Sequence, residues 1–159
     1  MQNKKQLRYW RVTMALTIMV LVFLSVFSYY GLYTDKFYFL KIDNYIFPLL
    51  TLVHFLYLYV VWFKIREQEI ADPKMRNLEY SLYIILLVYC FKTVETLTTL
   101  LSFGEYKNHM IPSTFVPMGI TIFTLYVFLL LLTILSFKLR KKFVGGYDFK
   151  NMPDIDTWH

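Results

Sequence analysis

The chain has 159 residues, of which 57% are hydrophobic and 20% aromatic, with a formal net charge of +6. A soluble domain of this size is less apolar and alternates its faces, so the composition excludes an ordinary soluble enzyme. The apolar residues fall instead into four long blocks, each near the roughly 20 residues that a helix needs to cross a hydrocarbon core of about 30 Å.

The N-terminal arm is basic, with Lys4, Lys5, Arg8 and Arg11. Behind it, Val12 to Tyr33 holds no charged residue in 22 positions. That block is too long for a secretory leader and lacks a small-residue cleavage site, so it reads as an uncleaved first span. A short loop with Lys36 and Lys41 leads to the second block, Tyr45 to Phe63, which contains His54 and no charge. Pro48 falls in its first turn, where a missing N–H is tolerated.

The second loop carries Lys64, Arg66, Lys74 and Arg76. Within it, Asp72-Pro73 predicts an N-cap followed by proline at the first helical position. The third block, Tyr80 to Phe103, contains Lys92 and Glu95 near its middle, and Gly104 suits its end. Pro112 and Pro117 bracket the start of the fourth block, Met118 to Phe137, which is again uncharged. A basic run follows (Lys138, Arg140, Lys141, Lys142), and Gly145-Gly146 then breaks any helix. The bundle is therefore assigned to 1–142, with spans at 12–33, 45–63, 80–103 and 118–137, and 143–159 to a tail. The acids of that tail, Asp148, Asp154 and Asp156, with His159, match no metal-loop spacing.

Both arms and the second loop together hold thirteen Lys and Arg, whereas the first and third loops hold three. The positive-inside rule then places both termini and the second loop in the cytoplasm. Short loops make consecutive helices antiparallel neighbours. The fold class expected is an all-α integral membrane protein, an up-down bundle of four transmembrane helices. A bacterial inner (plasma) membrane is the expected location. A β-barrel is not expected, because its strands would run about 10 residues with strict alternation. The abundant Tyr and Phe read as interfacial belts and lipid packing rather than a cofactor box.

A charge at bilayer depth is costly and seldom lacks a partner or a task. Lys92 and Glu95 are three residues apart and share a helical face, so they can neutralise each other. With Thr96, Thr99 and Ser102 they form a polar stripe that should face the bundle or a partner protein. Counted at about 1.5 Å per residue from the outer ends, His54, Glu95, Tyr126 and Ser25 fall roughly 12–14 Å deep and Lys92 about 16 Å. One polar group per helix thus lies at a similar level.

Two readings follow. In one, Glu95 accepts a proton or cation, Lys92 is its counter-charge and His54 is a relay. In the other, Lys92–Glu95 is an ion pair that fixes packing or subunit contact, and His54 is a hydrogen-bonded structural histidine. Several chemistries are excluded. Bis-histidine haem ligation needs a second histidine in a span, disulfide exchange needs more than Cys90, and no HExxH-like cluster occurs. Ser25 and His54 match in depth, but Ser25 lacks a nucleophile elbow.

No catalytic residue, metal ligand or cofactor is therefore assigned. The expected partners are the lipid bilayer and larger membrane protein subunits, with a homo-oligomer as a further arrangement and no nucleic acid. The expected function is a non-enzymatic accessory or scaffold subunit of a larger membrane complex. The alternative is a proton- or small-solute-binding unit, transporter-like, centred on Glu95, Lys92 and His54. Four spans in a chain of this length recur among unrelated proteins, so topology alone decides between neither.

Overall fold

The computed structural model describes residues 4–106 and 111–147. Four α-helices dominate: α1 (Lys4–Phe27), α2 (Ile46–Glu67), α3 (Pro73–Leu101) and α4 (Phe115–Val144). All four are long and apolar enough to cross a membrane. Each extends beyond its apolar block at the end that holds the start of α1 and the end of α4. Hydropathy registers only the length suited to hydrocarbon, whereas a helix continues into flanking charged residues that still favour it.

α4 packs against both α1 and α3, and α2 closes the bundle against α3 and α1. Cross-contacts set the directions. Ser25 of α1 meets Thr51 of α2, and Glu79 near the start of α3 meets Arg140 near the end of α4. Consecutive helices therefore run antiparallel. One end of the bundle holds the start of α1, the end of α4 and the α2–α3 turn, and is called the terminal end below. The distal end holds the other two connections. The core between them includes Leu21, Leu24, Tyr57, Leu58, Val61, Leu82, Tyr89 and Leu129, all at 1% exposure or less.

The α2–α3 turn follows the expected chemistry. Asp72 Oδ1 accepts the Met75 N–H at 2.7 Å, and Pro73 occupies the first turn. Lys64 clasps both Glu69 (2.6 Å) and Asp72 (2.8 Å). Burial alone would raise the Asp72 pKa, but Lys64 and the Met75 N–H outweigh it and hold the carboxyl below its ordinary 3.8. Gln68 ends α2 in the left-handed region at φ 55°.

The distal connections depart from the spans read off the sequence. The first span was expected to reach Tyr33, yet α1 stops at Phe27. The Ser28 hydroxyl is near both Ser25 O and Asn44 O. The chain then forms a two-residue antiparallel ladder, Tyr30–Gly31 (β1) with Lys36–Phe37 (β2), through a turn with Asp35 at φ 53°. Tyr29, Tyr30 and Tyr33 thus belong to an aromatic cap rather than to a helix end. Tyr29 packs on Phe39 and Tyr45, and Tyr33 on Phe115. Likewise α3 ends at Leu101, and Ser102–Tyr106 continues as a 3-10 turn that includes Gly104. Apolarity persists through both segments, which is why composition could not mark where the helices stop.

At the other end Gly145, at φ 95°, does terminate α4. Most of the tail expected over 143–159 lies outside the described residues.

Candidate functional site

Two ion pairs occupy opposite ends of α3. The distal one is Lys92–Glu95, with Nζ to Oε2 at 2.7 Å across one helical turn. The pair forms as its spacing predicts. Its side chains are 40% and 51% exposed, so in the chain by itself the pair is not enclosed. It borders a cleft of about 250 Å³ that Tyr126, Thr96 and Thr99 also line. Asp43 and Asn44, from the 3-10 turn Ile42–Tyr45 before α2, complete its polar wall. All four helices contribute residues to this cleft, but of the polar layer expected only Lys92, Glu95 and Tyr126 line it.

His54 and Ser25 stand apart from it. His54 is fully buried, and its Nδ1 shares a 3.2 Å hydrogen bond with the Tyr89 hydroxyl. Its Nε2 has no hydrogen-bond partner among the described residues. Ser25 donates to Thr51 Oγ1 at 3.2 Å, and Thr51 in turn donates to Phe47 O. The Phe47 ring packs on both Tyr89 and Tyr126. No hydrogen-bonded path among the described residues joins His54 to Glu95.

Within the stripe on α3, Thr96 is buried and returns its hydroxyl to Lys92 O, while Ser102 does the same to Thr99 O outside the helix proper. These back-bonds satisfy the hydroxyls locally and leave them little to offer a ligand. Cys90 is exposed on the same helix. In its apolar window only 17% of α3 is buried, against 33% to 39% in the other three helices, so α3 is the least covered.

The terminal pair was not found from the sequence. Glu79 and Arg140 meet at 2.5 Å with side-chain exposures of 1% and 6%. The carboxylate also accepts from Tyr83 (2.9 Å) and Tyr147 (2.5 Å). Arg140 Nη1 donates to Gly145 O at 3.0 Å, and its guanidinium lies over the Tyr147 ring at 4.5 Å. Tyr57, fully buried, is close enough to feel both charges. Burial and the bond to the Glu79 carboxylate push the Tyr147 pKa above its ordinary 10.0, so the hydroxyl stays a donor.

Arg140 belongs to the basic run behind the fourth apolar block, and Glu79 lies one residue before the third, so block hydropathy singles out neither. The missed signal is periodicity. Glu79 continues the buried stripe of Met75, Leu82, Ile85 and Tyr89, and Arg140 continues that of Leu129, Thr133 and Ser136. A charge in phase with a core stripe is expected to be buried and paired.

Taken together, the chain offers an enclosed, satisfied charge cluster at one end and a half-open polar cleft at the other. The first is built to hold helices together. The second has unfilled space beside exposed charge. No family model, curated protein or solved structure matches the chain.

Proposed function

We propose that the chain is an integral membrane protein of four spans with both termini cytoplasmic, and that it acts as a non-enzymatic accessory or scaffold subunit of a larger membrane complex. The plasma (inner) membrane of a bacterium is the setting proposed. The observation that carries the reading is the half-exposed Lys92–Glu95 pair on the least covered helix. On insertion scales a charge at mid-depth costs about 2.5–3.5 kcal/mol, so a face that carries two of them is poorly suited to lipid. A partner helix on the exposed side of α3 removes that contact and supplies hydrogen bonds. The separation of His54 from the pair counts against a proton relay and in favour of a contact role.

The exposed Cys90 gives a direct test. A photo-cross-linker on Cys90 in native membranes should yield one discrete adduct with a larger membrane protein. That adduct should vanish when Lys92→Leu and Glu95→Leu are combined, with the monomer still folded. A purified chain that is monomeric, with no adduct from Cys90, would overturn the subunit reading.

The cleft supports a second reading. Its wall carries Asp43, Lys92 and Glu95, a net single negative charge, with Tyr126 and Asn44 as neutral polar groups. A small cation or zwitterion fits that chemistry. Saturable binding of such a solute to the purified chain, lost in Glu95→Gln, would favour it.

A further inference from the structure

α1 packs more extensively on α4 than on α2, and between α1 and α2 a furrow opens in two chambers. The chamber at the terminal end has a volume of about 560 Å³ and presents two arginines, Arg11 of α1 and Arg66 of α2. The deeper one, about 340 Å³, is walled by Met14, Ile18, Phe55 and Tyr59, with Leu58 as its floor. Trp62 borders both chambers, so they meet at its ring. From Leu7 to Ile18 the furrow runs along roughly 16 Å of α1, at about 1.5 Å per residue.

We propose that this furrow is a binding site for an anionic phospholipid, its headgroup phosphate between Arg11 and Arg66 and one acyl chain along the deeper chamber. The proposal rests on the membrane orientation given above, which sets the terminal end at the level of the cytoplasmic headgroups.

The chemistry changes along the furrow in the order that a lipid requires: cations first, then an indole, then apolar side chains. Arginine offers a planar fork of donors that matches a phosphate. An amphipathic indole at the headgroup boundary has one apolar and one polar side to satisfy, which suits Trp62 where the chambers meet. The Arg66 guanidinium lies 5.3 Å from the Trp62 ring centroid, a contact that holds it at the mouth of the furrow. Among the described residues its one carboxylate contact is to Glu67 at 3.5 Å, with the arginine side chain 65% exposed, so it retains donors for a phosphate. The floor is formed by Trp10 and Ile65 in the outer chamber and Leu58 in the inner one, all at 4% exposure or less. A preformed apolar floor takes an acyl chain without having to order its own side chains first. It also distinguishes the furrow from the general attraction of a basic surface for anionic lipid.

Quenching of Trp fluorescence by brominated lipid tests this with the full-length chain in vesicles. One set contains chain-brominated phosphatidylglycerol in phosphatidylcholine, and the other contains chain-brominated phosphatidylcholine in phosphatidylglycerol, at equal mole fractions. Brominated phosphatidylglycerol should quench more strongly. Arg11→Gln with Arg66→Gln should reduce that preference by about fivefold for each charge removed. The control Arg8→Gln with Lys141→Gln removes the same charge from the same end without touching the furrow, and should leave most of the preference in place. Filling the deeper chamber with Ile18→Trp should reduce quenching of the other indoles by brominated phosphatidylglycerol while the arginines stay intact. Equal quenching by the two brominated lipids overturns the site alone. So does an equal loss of preference in the control pair. Quenching by neither lipid overturns the membrane insertion, and the site with it.

Discussion

The two ion pairs on α3 differ in every property that decides what a charge does for a fold. Lys92–Glu95 joins residues one helical turn apart and is about half exposed. Glu79–Arg140 joins residues 61 apart in sequence and is almost wholly enclosed. The local pair constrains no tertiary contact, since both side chains belong to one helix. The distant pair ties the start of α3 to the end of α4 and, through Gly145 and Tyr147, fixes the chain as it leaves the bundle. A charge that is locally satisfied and open to its surroundings is free to serve another molecule. A charge enclosed by two tyrosines and a guanidinium is committed to its own chain.

The sharpest way to break this contrast is to remove one partner of the buried pair. Arg140→Met leaves the Glu79 carboxylate enclosed and unpaired, and should cost about 3–5 kcal/mol of stability. Adding Glu79→Leu should recover a large part of the loss, because an apolar replacement of both partners removes the desolvation cost. Thermal unfolding of the singles and the double in detergent, arranged as a double-mutant cycle, measures the coupling. Strictly additive losses would show that the pair does not act as a unit.

Tyr147→Phe is a smaller intervention at the same place. It removes one donor to the carboxylate but keeps the ring beneath Arg140, and should cost about 1.5–3 kcal/mol, the range for hydrogen bonds to charged groups. Proteolysis at the Gly145-Gly146 step should become faster in this variant if the hydroxyl holds the segment in place. Unchanged cleavage would mean that the ring contact suffices.

The distal half of the α3–α4 contact depends on close approach rather than on charge. A Cβ added at Gly119 would run into the Leu100 side chain. Gly119→Val should therefore cost about 1–3 kcal/mol through overpacking, partly offset by the better helix propensity of valine. If this variant is as destabilised as Arg140→Met, the view that the terminal cluster dominates the α3–α4 contact is wrong.

The smallest effect is expected at the local pair. Lys92→Met should change the stability of the isolated chain in detergent much less than Arg140→Met does, because the Glu95 carboxylate it leaves is half exposed rather than enclosed. Its effect should appear instead in the recovery of a partner from membranes. A loss of stability in the isolated chain comparable to that of Arg140→Met would make Lys92–Glu95 a structural element after all.

Much of the fold was legible in the sequence for one reason: the four apolar blocks and their flanking charges are local properties, read without knowing what touches what. The Asp72-Pro73 start of α3 and the Gly145 end of α4 were legible on the same grounds, since a cap depends on its immediate neighbours. So was the Lys92–Glu95 pair, which needs only the helical repeat. The ends of α1 and α3 were not legible, because apolar aromatic residues continue past both helices and are held there by contacts with other segments.

Residues counted to one depth are joined by contacts only in part, for a physical reason. Depth fixes one coordinate of a side chain, and the rotation of each helix about its axis fixes the other. Rotation is set by which faces pack together, and that placed His54 on Tyr89 and Ser25 on Thr51 rather than on Glu95. The Glu79–Arg140 cluster lay beyond the sequence for the same reason. Sequence alone determined the number and order of the helices, because hydrophobicity and capping act within a few residues. Only the tertiary structure decided which charges are enclosed and which remain available, because that depends on helix faces brought together from distant parts of the chain.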